Sequence, residues 1–301
     1  MSESTASQTG LRYWEKQTSA GHRVSGYHSE PSDRPVIHFV HGNGYNGLVY
    51  WPLLRRLGEH YDLFISDIQG HGESEANGHF KGWNQTSLLC EEVWRDYRHL
   101  WPDQPHYGMG HSFGGIMTAF MMARAPSLFT RSVLLDPIIF SKRMLLMMKV
   151  GTFLGLWQRN SFAQKTRQRR SHWLDRETAY QSLEGRGMFK GWEPEALQSY
   201  VDFALKDTGE GIELKCPAEL EAEIFSGFPR GLWRTLKKVR TPTHVIYGES
   251  TYDFVRDSVA RWDGFNEWIS TERVSGGHCF MQQQPEDTTK RVLKALGQHK
   301  V

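Results

Sequence analysis

Short apolar runs rich in β-branched residues, each closed by glycine or proline, alternate along this chain with stretches of helical spacing. Pro35–Val40 ends at Gly42 and Gly44, and Asp62–Asp67 ends at Gly70 and Gly72. His106–Met109 runs into Gly110, Ser132–Asp136 stops at Pro137, and Thr243–Tyr247 and Glu272–Val274 follow much later. Between them Tyr50–Leu57, Leu88–Leu100, Gly115–Ala125 and Pro285–Leu296 place apolar residues three or four apart. Antiparallel strands can be joined by tight hairpins, but parallel strands need a crossover, usually a helix. The alternation therefore predicts an α/β fold: a mostly parallel, doubly wound sheet with helices on both faces.

The rhythm breaks once. About a hundred residues separate Pro137 from the strand at Thr243, against the few expected of an ordinary connection. They hold Met-, Trp- and charge-rich helical stretches and almost no strand pattern. The organisation predicted is a core of residues 11–137 and 239–301 with a helical cap inserted at 138–238. The Ser/Thr-rich residues 1–10 read as a disordered tail. The most apolar window, Ile138–Trp157, is interrupted by Ser141, Lys142, Arg143 and Lys149, which points to an amphipathic cap helix rather than a membrane span.

Gly110-His111-Ser112-Phe113-Gly114 fits G-x-S-x-G. The string alone is weak, but it directly follows one predicted strand and opens the next helix. That is the setting of a nucleophile elbow, in which glycines allow a sharp turn and the serine is held out of the sheet edge. A serine hydroxyl is a poor nucleophile at neutral pH and needs a base beside it. Of 14 histidines, His278 is the best placed, in a Gly-flanked loop after a late strand. His111 lies inside the elbow and points away from Ser112. His41 shapes the loop after the first core strand.

Four signals in order resemble the α/β-hydrolases, from about Arg12 to the C-terminus. They are His41-Gly-Asn-Gly44 after a strand, Asp67-Ile-Gln-Gly-His-Gly-Glu-Ser74, the elbow at Ser112, and Gly276-Gly-His278 followed by Pro285-Glu286. The resemblance implies the α/β-hydrolase fold, a serine nucleophile at Ser112 and a catalytic histidine at His278. For the acid it offers two places. After the Thr243–Tyr247 strand, Gly248-Glu-Ser-Thr251 puts threonine where aspartate is usual, with Asp253 two residues on; at the end of the preceding core strand stands Asp136. Asp136 is preferred, because a rigid strand and a proline exit suit a group that must fix the imidazole. The family's oxyanion donors fall on the N–H groups of Phe113 and Asn43, with Gly44 and Tyr45 as close alternatives.

Haloalkane dehalogenases and epoxide hydrolases resemble this chain but carry aspartate where Ser112 stands. Perhydrolases, C–C hydrolases and lyases on the same triad stay open. The expected function is a cofactor-free serine esterase of lipase-like type, acting on a small ester with an apolar acyl group suited to the Met and aromatic residues of the cap. The alternative is a ligand sensor that keeps the fold without turnover, favoured by the displaced acid around Thr251.

A formal charge of +2 lacks the basic excess of a dedicated nucleic-acid binder. Cys90, Cys216 and Cys279 form no spaced pair and no Cys/His cluster appears, so no metal site is expected. A cytoplasmic location is expected from the odd cysteine count and the absence of leader-like features. Lys165–Arg170 carries four basic residues in six, readable as a solvated helix face or as a site for an anionic substrate or membrane surface.

Overall fold

Why the central strands show no polar face is plain in the computed structural model, which describes residues 8–155, 157 and 160–297. The predicted tail lies outside the described residues up to residue 7. Eight strands form one sheet: β1 Arg12–Gln17, β2 Arg23–His28, β3 Val36–Val40, β4 Asp62–Asp67, β5 His106–His111, β6 Arg131–Leu135, and, after the cap, Thr243–Gly248 and Ile269–Val274. Within β3, Val36 and Val40 face one core layer while Ile37 and Phe39 face the other; Phe64 opposes Leu63 and Ile65 in the same way. Helices Trp51–Leu57 and Pro285–Leu296 cover one face, and Trp83–Tyr97, Phe113–Arg124 and Asp253–Asp263 the other. A strand buried on both sides must read as a continuous apolar run.

The last six strands across the sheet are parallel, in the order β4-β3-β5-β6 followed by Thr243–Gly248 and Ile269–Val274. The β1–β2 hairpin, which the sequence did not suggest, adds two antiparallel strands at the other edge. Its outer strand, Arg-Tyr-Trp-Glu-Lys-Gln, is half exposed and carries charges on the solvent side, so it lacks the apolar run that marks its neighbours.

The segment 138–238 is mainly helical, but it also holds a three-stranded antiparallel sheet in the order β7-β9-β8: β7 His172–Trp173, β8 Leu205–Asp207 and β9 Ile212–Leu214. Strands of two or three residues are too short to leave a periodic signature. Numbered on in chain order, Thr243–Gly248 is β10 and Ile269–Val274 is β11. Most of the cap aromatics are packing groups: Trp173, Phe189, Trp192, Phe203 and Trp233 are all buried. Among the described residues no helix is long and apolar enough to cross a membrane.

Candidate active site

β5 ends at His111, and the helix Phe113–Arg124 begins two residues later, so Ser112 alone makes the turn. Its backbone takes φ +53° and ψ −114°, a conformation rare for a residue with a side chain. The turn closes only because its flanks are glycine. A Cβ on Gly114 would collide with the backbone oxygens of Val40 and His41, and one on Gly110 with the backbone of Gly114.

The Ser112 hydroxyl lies 2.9 Å from Nε2 of His278, and Nδ1 of His278 lies 2.8 Å from Oδ1 of Asp136. An ionised carboxylate only accepts, so Nδ1–H donates to Asp136 and Nε2 is free to accept from Ser112. Asp136 is wholly buried and follows β6 with φ +43°. Its Oδ2 accepts from the Gly248 N–H at 2.8 Å, and its Oδ1 accepts from the Thr251 hydroxyl at 2.6 Å. Threonine at the other acid position thus feeds the carboxylate that stands at the first. Asp253 is elsewhere: its side chain is 86% exposed and pairs with Arg256. The structure brings Ser112, His278 and Asp136 together and leaves Asp253 out.

His41, His71 and His111 brace the loop after β3. His111 donates from Nε2 to the His278 carbonyl at 3.0 Å, so its Nδ1 accepts from the Tyr50 hydroxyl at 2.6 Å. The same hydroxyl accepts from the Gly42 N–H at 3.2 Å. This series ties the loop after β3 to the backbone of the histidine loop. His41 donates to the Gly42 carbonyl and accepts from the Ile68 N–H; His71 accepts from the Gly44 N–H and donates to the Gln69 carbonyl. Burial holds all three neutral. It lowers His71 to about 4 and sets His41 and His111 well below the ordinary range, with a neighbouring histidine pushing each of those two further down.

These bonds bear on the donors considered from sequence. Gly42, Gly44 and Tyr45 spend their N–H groups on Tyr50, His71 and the Gly42 carbonyl. The Asn43 amide has no such acceptor among the described residues. The Asn43 side chain donates to the backbone carbonyl of Glu221, which comes from the cap. The Glu221 carboxylate in turn packs on Gly44, where a Cβ would meet it at 2.6 Å, and pairs with Arg169 at 2.6 Å. Sequence reading missed this cap contact. Arg169 was visible only as part of a basic run, and Glu221 carries no signal beyond its place in a helix.

Fold and site together define a doubly wound α/β protein with a serine raised on a nucleophile elbow and a histidine hydrogen-bonded to it. The chain belongs to the alpha/beta hydrolase family, whose model matches residues 39–291. It is 32% identical over 112 residues to the abhydrolase domain-containing protein ACTT2 of Alternaria alternata, covering 37% of this chain and 38% of that one. It is 26% identical over 205 residues to the type I acyl-CoA thioesterase mpaH of Penicillium roqueforti, covering 60% and 42%. The chain thus spans well under half the length of these curated relatives. The crystal structure of E-2-(acetamidomethylene)succinate hydrolase superposes with a TM-score of 0.75 at 18% identity, over 95% of this chain and 99% of that one.

Proposed function

We propose that the protein is a serine hydrolase that cleaves carboxylic esters through an acyl-enzyme. The observation that carries this reading is the unbroken hydrogen-bonded series Ser112–His278–Asp136 on a strained elbow. Ser112 Oγ attacks the acyl carbon while Nε2 of His278 takes its proton. Asp136 fixes the tautomer and stabilises the imidazolium that forms. The N–H groups of Phe113 and Asn43 hold the oxyanion; the other loop amides are already engaged. The leaving alkoxide takes the proton from His278, and water then releases the acid by the same base. The thioesterase activity of one relative supports acyl transfer, and a thioester would follow the same steps. An apolar acyl group suits a cap whose Tyr200 and Trp192 rings stand about the Tyr45 ring of the oxyanion loop.

The sensor alternative drew its support from threonine at the acid's usual place. With the Thr251 hydroxyl on Asp136, that threonine supports turnover instead. Thr251→Val should lower turnover about 10- to 100-fold, the worth of one hydrogen bond to a buried charge, while Thr251→Ser stays near wild type. Ester kinetics at fixed pH would check it; equal rates for all three would remove Thr251 from the machinery.

A fluorophosphonate probe tests the whole reading without a guess at the substrate. Ser112 should displace fluoride and become covalently phosphonylated, with the modified peptide identified by mass spectrometry. A wild-type protein left unlabelled at Ser112 would overturn the proposal.

A further inference from the structure

Between Asp136 and Asp175 the sequence has eight Lys and Arg residues and not one Asp or Glu. The whole chain carries 36 basic against 34 acidic residues, so the rest of it is acidic. Two of the eight are taken by the neighbouring helix Ala218–Ser226, where Arg167 pairs with Glu219 and Arg169 with Glu221. Among the described residues no ion pair engages Lys142, Arg143, Lys149 or Lys165.

The same segment begins with the helix Lys142–Phe153, which is apolar nearly all round. Only Met148 is fully buried. Leu146, Met147, Val150 and Phe153, with Leu154 just beyond, face solvent, Phe153 at 89% and Leu146 at 63% exposure. At about 100° per residue these five share one arc of roughly 120°. Lys142 and Lys149 lie along one margin of that arc, while Arg143 falls within it, in the first turn of the helix. A monomer gains nothing by presenting such a face to water.

The next helix, Ser161–Arg167, exposes Phe162, whose ring is 6.3 Å from that of Tyr252, and the Tyr252 ring is 5.1 Å from His278.

We infer that this face of the cap docks the protein on an anionic lipid bilayer, with the Lys142–Phe153 helix lying in the headgroup plane. The apolar arc enters the acyl boundary, and the flanking lysines extend to lipid phosphates and carboxylates. Charge decides the occupant. A second copy would bring one acid-free basic helix, Lys142–Phe153, against another, whereas anionic headgroups complement it. Binding itself does not depend on the hydrolase reading.

The test is co-sedimentation of the full chain with vesicles of phosphatidylcholine alone and of phosphatidylcholine mixed with phosphatidylserine. Wild type should pellet with the mixed vesicles and release as salt is raised. Lys142→Gln combined with Lys149→Gln should weaken binding about tenfold or more. Val150→Ser combined with Phe153→Ser should abolish it, with unchanged thermal unfolding because both side chains are exposed. Ser112→Ala should bind as wild type does, which separates docking from catalysis. No wild-type binding to mixed vesicles at low salt would overturn the inference, leaving an acidic protein as the occupant. Binding indifferent to the Val150/Phe153 pair would overturn it too. So would a chain that dimerises through this face, seen as a mass that falls to monomer in the same pair.

Discussion

Asp136→Asn is expected to lose about four orders of magnitude of ester turnover, while Asp253→Asn keeps the wild-type rate. Asparagine preserves the shape of the Asp136 side chain but not its charge, and its amide can turn a donor toward the imidazole. His278 would then be held in the wrong tautomer, with no free Nε2 lone pair for the Ser112 proton, and the imidazolium would form without its counter-charge. Asp253 is a fair control because its carboxylate is exposed and engaged with Arg256. Steady-state rates on a soluble activated ester would check both. Members of one relay act as a unit, so Asp136→Asn combined with Ser112→Ala should be little worse than Ser112→Ala alone. Retained activity in Asp136→Asn with loss in Asp253→Asn would reverse the assignment.

Stability should fall as pH drops from 7 to 5. Burial lowers His38 to about 3 and His71 to about 4, while the unfolded chain protonates both near the ordinary 6.5. Below that ordinary value the unfolded state binds more protons, so stability is present above it and lost as pH falls. At about pH 5 each contributes a loss of about 2 kcal/mol. His41 and His111, also buried and neutral, act in the same sense. Asp67 opposes them: burial raises its carboxyl to about 7, so its cost to the fold eases by about 2 kcal/mol over the same interval. The histidines outweigh it. Denaturant midpoints across this range would measure the slope, and Asp67→Asn, lacking the compensating relief, should steepen it. A midpoint that rises on acidification would refute the reckoning.

The parallel core was legible because its strands are buried on both faces, and Val133-Leu-Leu135 can be nothing but interior. The hairpin Arg12–His28 was not, because a charged, half-exposed edge strand has no reason to be apolar. The helix Asp253–Asp263 escaped notice for a related reason: its polar surface outweighs the Val255, Val259 and Trp262 stripe. In the site, Ser112 and His278 announce themselves through the glycines that their turns require. Asp136 could be preferred to Asp253 from its rigid strand and proline exit, but the Thr251 hydroxyl that reaches it is a tertiary contact with no local signature. The Glu221–Arg169 contact with the loop after β3 depends on how the cap sits on the core, and no local pattern records that.

The insertion of the cap between β6 and β10 also orders events in time. A ribosome that has released residues up to Asp136 has delivered Ser112 and its carboxylate partner, but His278 lies 142 residues further on. Since β10 and β11 join at the sheet's edge beyond β6, the strands made earlier can associate while the cap is still being synthesised. On the proposed mechanism the growing polypeptide is therefore chemically silent until β10, β11 and His278 have been made, and competence appears only as they dock.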